Sequence, residues 1–364
     1  MIANLRTKFW FVVLSCTCRF IFAATFIVTG LLKSNDPYGT GLVIESYFAA
    51  YDIFAPDWLV AGLAIGIGAA ELTLGLMLIF NIYIRIASIL AVVSMALFSI
   101  ITLLNATVFP VEDCGCFGEL IKLSPWQSFA KNMVLLPMAA CFWYHYRPEK
   151  FFEAWKRDTL VTVILFAAAV ALNIYSYRHL PIVDTSLYRE GVDISAEMER
   201  ERENKDSERA VLVYRNIQTG ELHEFAIDDK TWQDETSWEW VETRVENEVS
   251  VTSTLHDFYV CDYEGNDKTE YLLSLPKVYM LFVVNAEYAE DISKQFEVVE
   301  RYADVNGGEV VYVSPVQLAD LNNKYTYYNM DPKTMQTILR AEYGLVVLEN
   351  GVVAEKYNYR DIPY

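Results

Sequence analysis

Positive charge is scarce in this chain: 29 Lys and Arg stand against 48 Asp and Glu, a formal charge of −19 over 364 residues. Nucleic acid and anionic lipid surfaces need clustered cations, so the acidic part of the chain is not built for them. Histidine is scarcer still. The four, His145, His179, His223 and His256, show no metal-ligand spacing, and neither a phosphate loop nor a nucleophile elbow is present. Only six cysteines occur, too few and too scattered for a disulfide scaffold or a closed zinc site.

What is abundant is apolar surface. Residues of hydrophobic type make up 53% of the chain and the mean hydropathy is +0.18, values at odds with the acidity unless two populations are joined. Residues 1–180 carry 12 basic and 11 acidic groups; residues 181–364 carry 17 and 37. The first half therefore reads as membrane and the second as an acidic soluble domain. Five stretches, 10–32, 58–80, 84–108, 126–146 and 159–177, are long enough to cross a hydrocarbon core of roughly 30 Å. The first is too long for a signal-peptide core and is followed by no cleavage site, so it reads as a retained span.

Orientation is expected from the basic residues. Arg6, Lys8, Arg85, Arg147, Lys150, Lys156 and Arg157 mark the inner segments, whereas 33–57 and 109–125 are acidic; Arg178 alone argues the other way. This places the N-terminus in the cytoplasm and residues beyond 180 in the periplasm, on a bacterial inner membrane. The bilayer is then one partner, with periplasmic or membrane proteins as others.

Arg19 and Glu71 fall inside the first two spans. Counted from Leu32 and Trp58, both lie about 20 Å below the outer surface, so an Arg19–Glu71 ion pair is expected. It serves either to hold the bundle or to take part in proton or quinone chemistry.

Cys114 and Cys116 form a Cys-Gly-Cys pair in the second acidic loop. On the oxidising side they can close a small, strained and hence easily reduced ring, which makes them the candidate redox pair; a static staple or two unreactive thiols are the alternatives. Glu112 and Asp113 disfavour the thiolate. Cys16 and Cys18 diverge by about 200° on a helix and cannot bridge each other. With Cys141 they read as small packing residues, and Cys261 as a buried one.

The run from Arg19 to Lys33, followed by Asp36-Pro37 and Glu71, resembles the opening of the DoxX-like membrane proteins. Cys114-Gly115-Cys116-Phe117-Gly118 with Asn132 resembles their MauE branch, over about residues 10–146. The resemblance implies a four-helix core, to which the fifth span is added, and a role in disulfide handling or electron transfer near a quinone. Whether this chain is an enzyme is left open.

Residues 181–209 are charged and read as a solvated helix or linker. Alternating segments follow, with Gln218-Thr219-Gly220 as a turn. From Lys277 the pattern is β, α, β, α, β, β: apolar runs at 278–284 and 309–314, a helix with Ile292, Phe296, Val299 and Ala303 on one side, an Asp331-Pro332 helix start, and a hairpin about Asn350-Gly351. This order resembles a thioredoxin-like domain from about residue 250. Two hallmarks are missing. Asn285-Ala286-Glu287-Tyr288-Ala289-Glu290 stands where the redox Cys-x-x-Cys belongs, and Glu342-Tyr343 where the cis-proline belongs, so a binding module is expected. Two readings follow: a membrane thiol-disulfide or electron relay, or a non-catalytic scaffold that anchors partners.

Overall fold

The computed structural model describes residues 7–108, 115, 118, 120, 123–149, 155–207, 209–226, 229, 231–233, 236–246, 258–285, 289–318 and 325–363. Helices α1 (Phe9–Asn35), α3 (Asp57–Phe80), α4 (Ile84–Thr107) and α6 (Trp155–Arg178) are the four, among the described residues, that are long and apolar enough to cross a membrane. Helix α5 (Pro125–Tyr146) has comparable length but is not among them. Gln127, Lys131, Asn132 and the Trp-Tyr-His-Tyr end dilute its apolar run.

Lipid tails are as apolar as leucine, so helices in a bilayer associate through close packing and polar contacts. Helix α3 is the centre of the bundle, and its small residues make that possible. Ala64, Ala69 and Gly68 are buried, and a Cβ on Gly30 of α1 would sit 2.5 Å from the Leu72 backbone nitrogen. The same antiparallel register brings Gly75 against Ile27, and Gly68 against Lys33 and Ser34. A second short helix, α2 (Pro37–Ala50), lies in what the sequence offers as an acidic loop. Asp36 caps it, accepting from Gly39 N at 2.7 Å, with Pro37 in its first turn.

Beyond α6 come α7 (Ile194–Ser207) and strands β1 (Arg209–Asn216), β2 (Leu222–Ala226) and β3 (Trp238–Glu246), a three-stranded antiparallel sheet in the order β2-β1-β3. Next are α8 (Thr269–Ser274), β4 (Val278–Val283), α9 (Ala289–Asn306), β5 (Glu309–Val313), β6 (Thr326–Tyr328), α10 (Pro332–Leu339), β7 (Tyr343–Glu349) and β8 (Val352–Asn358). The last five strands form one sheet, β6-β5-β4-β7-β8, with β4, β5 and β6 parallel and β7 and β8 antiparallel.

Strand β4 is buried throughout, as a central strand covered on both faces requires. Val278, Met280 and Phe282 join Met335, Ile338 and Leu339 of α10 in one core layer. Tyr279, Leu281 and Val283 join Phe296, Val299 and Ala303 of α9 in the other. Asn350 and Gly351 both take positive φ, 49° and 80°, the backbone that a two-residue hairpin between right-twisted strands needs.

The expected linker 181–209 is corrected by this core. Tyr188 and Ile194 are fully buried in it, Gly191 N and Val353 N bond across to Val353 O and Val192 O, and Asp184 pairs with the buried Lys356 at 2.5 Å. The charge run hid the two apolar anchors in front of it; only α7 itself is a largely polar helix.

Candidate functional site

The candidate site is built at the end of the bundle where α1 stops, α2 lies across, and the large sheet docks. Lys33 occupies the last turn of α1 and Glu71 the middle of α3. Their side chains meet at 2.7 Å, both about nine-tenths buried. Lys33 also sits where a cation complements the negative end of a helix.

The expected Arg19–Glu71 pair is therefore corrected. Arg19 donates to Asn81 Oδ1, the residue that caps α3 in left-handed conformation, and its guanidinium lies 5.3 Å from the Tyr146 ring centre. Depth counting failed because it placed the end of α1 level with the start of α3. Instead the first turns of α3 rise beyond α1 and pack on α2, where Gly41 faces Val60 and Ala64. That offset moves Glu71 up to the level of Lys33 and leaves Arg19 at the opposite end. Asp36-Pro37, a cap and first-turn proline, marks in the sequence where α1 ends and α2 begins, but not how far α3 rises beyond that point.

Around this pair is a cavity of about 390 Å³ between α1, α2, α3 and α4. Its walls are mainly apolar, with Val43, Ile44, Phe48 and Phe98 among them, and Tyr47 and Thr102 add hydroxyls. Asn105 Nδ2 donates to Tyr47 Oη at 3.3 Å and Asn132 Nδ2 to Thr102 Oγ1 at 3.1 Å, which fixes both hydroxyls. A second space of about 20 Å³ lies on the other side of the pair, bounded by Thr29, Lys131 and Asn132, enough for one water. A mostly apolar chamber with a few placed polar groups is the usual form of a small-molecule site.

Cys114 and Cys116 lie outside the described residues. Gly115 between them is described: it is buried, has φ +65°, and a Cβ there would fall 2.8 Å from Val43 Cγ1 of α2. It lines the same cavity as Lys33 and Glu71. Only glycine combines that backbone with that closeness.

The other thiols are elsewhere. Cys18 and Cys141 are neighbours across α1 and α5, and Cys16 Sγ is 4.0 Å from Tyr146 Oη; Cys18 packs on the apolar core of the bundle. Cys261 is half-buried rather than buried. Partial burial, then Asp262 and Asp267, push its thiol up, away from a reactive thiolate. Of the segment in the Cys-x-x-Cys position, Asn285 is described, residues 286–288 lie outside the described residues, and Ala289 and Glu290 begin α9.

The sheet docks on the same end. Arg340, 2% exposed, sets its Nε 3.1 Å from Asp36 Oδ2. Tyr38 Oη donates to Glu342 Oε1 at 2.6 Å, Lys333 Nζ to Ser46 Oγ at 3.2 Å, and His179 meets Asp361 at 2.8 Å. Burial, reinforced by Glu342, holds the Tyr38 phenol far above its ordinary pKa and so keeps it a donor.

Together these features define a membrane-capable helix bundle that carries an α/β sheet domain and holds a half-open, mainly apolar cavity with Gly115 on its wall. Residues 10–145, a little over a third of the chain and spanning α1 to α5, match the family model described as methylamine utilisation protein MauE. No curated protein and no solved structure matches the chain.

Proposed function

We propose that this chain is an inner-membrane redox protein in which Cys114 and Cys116 take electrons from a periplasmic partner and pass them to a quinone in the α1–α4 cavity. The observation that carries this reading is the position of Gly115, buried on the cavity wall that also holds the Lys33–Glu71 pair. Each cysteine is then one residue from the chamber. The step balances: the dithiol closes to a disulfide, giving up two electrons and two protons, and the quinone takes both to become the quinol. Lys33 and Glu71 supply a hydrogen-bonding charged wall in an otherwise apolar site.

The family match ties residues 10–145 to a membrane protein of methylamine utilisation; the periplasmic placement rests on the basic-residue distribution. The β4–α9–β5–β6–α10–β7–β8 order, with β4 parallel to β5 and antiparallel to β7, supports a thioredoxin-like reading of the soluble part. Its thiol-free Asn285–Glu290 segment supports binding rather than dithiol exchange.

Alkylation with mass shift tests the redox pair in native membranes. Cys114 and Cys116 are expected to resist alkylation until reduced, and the reduced protein to convert a short-chain quinone to quinol in a single turnover that Cys114→Ser, Cys116→Ser abolishes. Full alkylation in untreated membranes together with an undiminished turnover in the double variant would sink the relay.

The scaffold reading is favoured by the domain-to-bundle contacts at Asp36, Tyr38 and Asp361, which seat the domain on the bundle. It expects removal of residues 181–364 to lose a co-purifying protein without changing the thiol state.

A further inference from the structure

Helix α2 is sandwiched. One side carries Val43, Ile44, Tyr47 and Phe48 into the 390 Å³ cavity. The other, with Tyr38, Leu42 and Glu45, borders a 90 Å³ space that it shares with Gln336 and Glu342 of the sheet domain. Few of its side chains are buried: of the fourteen residues, Pro37, Tyr38 and Gly41 are. A helix of about 21 Å with so few fully buried residues rests on α3, where Gly41 faces Val60 and Ala64, and on α6, where Tyr38 meets Tyr177, and is gripped further by side chains. The grips on the domain side are Arg340 on Asp36, Glu342 on Tyr38 and Lys333 on Ser46; on the bundle side Asn105 holds Tyr47. Asp36 has two duties, because the carboxylate that meets Arg340 also caps α2 through Gly39 N.

We propose that α2 is a movable wall of this half-open cavity and that the sheet domain holds it in place through Arg340–Asp36 and Glu342–Tyr38. Whatever loosens the domain from this corner widens the cavity, and occupation of the cavity in turn shifts the domain, since a coupling between two sites is reciprocal. The movable wall and the clamp stand on the geometry of α2 alone and hold whether or not the cavity takes a quinone. Local opening of this kind is expected of an element with few buried apolar contacts.

Hydrogen exchange on the full chain in lipid nanodiscs tests it through a double-mutant cycle. Asp36→Asn keeps the cap acceptor and removes the charge; Arg340→Gln removes the other partner. Each single variant is expected to raise amide exchange in residues 40–50 at least tenfold, the double variant to raise it no further, and α4 and β4 to keep their protection. Tyr38→Phe, which leaves the ion pair in place, is expected to give a smaller rise in the same segment. Unchanged exchange in residues 40–50 in both single variants would overturn the clamp, as would effects that simply add, or a loss of protection spread over α10 and β7 in both. None of these readouts depends on the thiol state of Cys114 and Cys116, so a failed relay and a failed clamp are told apart.

Discussion

Replacing Glu71 with glutamine leaves the Lys33 ammonium buried without its counter-charge, and the register of α1 against α3 can be read from what that costs. At 2.7 Å and an effective dielectric of about 20 the attraction is about 6 kcal/mol before desolvation. Most of that is offset by the cost of taking both ions out of water, so the pair adds little net stability. Removing one partner is different, because the other stays buried and uncompensated, at about 3 to 5 kcal/mol. Lys33→Met in the same background should restore most of the loss, a coupling of about 2 kcal/mol or more. Arg19 is fourteen residues down α1 from Lys33, about 21 Å at 1.5 Å per residue. At that separation its interaction with Glu71 is below about 0.8 kcal/mol even at a dielectric of 20. Equilibrium unfolding in mixed micelles, run as two double-mutant cycles, measures both terms. A large Arg19–Glu71 coupling beside a negligible Lys33–Glu71 coupling would refute the register and with it the placement of the charged pair on the cavity wall.

Two further outcomes follow from packing and charge. Gly30→Ala should destabilise the bundle by about 1 to 3 kcal/mol, because its Cβ would lie 2.5 Å from the Leu72 nitrogen; Gly66→Ala, with nothing within 4 Å, should be neutral or gain up to about 1 kcal/mol of helix propensity, and the same micelle unfolding compares them. Burial alone would raise the Asp184 carboxyl, but the Lys356 ammonium and the Ser186 donors outweigh it and hold it below the usual carboxylate range. A carboxyl depressed in the folded state contributes stability above its unfolded pKa of about 3.9 and loses it as pH falls through the folded value. Acid unfolding of the sheet domain should therefore steepen below about pH 4 in the wild type and lose that component in Asp184→Asn, monitored by tryptophan fluorescence; an identical acid limb in both would refute the assignment.

Much of the architecture was legible because it rests on local chemistry. Runs of apolar residues about twenty long can only be helices if they are to satisfy their backbone in lipid, and the helices α1, α3, α4 and α6 follow from them. The 278–283 and 309–313 runs, the Asp331-Pro332 start of α10 and the Asn350-Gly351 hairpin are equally local: each is a property of a few neighbouring residues. The charged pair was not legible in that way. Arg19, Glu71 and Lys33 are all visible as charges in apolar surroundings, but which two meet depends on how far α3 overhangs α1, and no spacing within either helix encodes that offset. The role of residues 184–194 escaped for a related reason. Tyr188 and Ile194 stand in a largely polar stretch, and only the bonds of Gly191 and Val192 to Val353 of β8 and the core they enter show that they belong to it.

The sequence by itself determined that a neutral, apolar half is joined to a strongly acidic one, that the first can span a membrane, and that Cys114-Gly115-Cys116 stands apart from the other thiols. These are consequences of composition and of periodicity along one chain. Tertiary structure alone decided that Lys33 rather than Arg19 neutralises Glu71, that α2 forms one wall of a cavity that Gly115 also lines, and that the acidic domain is fastened to that wall by Arg340 and Glu342. The physical reason is the same in each case: a buried charge, a cavity and a docking corner are all made by groups far apart in sequence, and their meeting is fixed by helix register and packing, which no local pattern specifies.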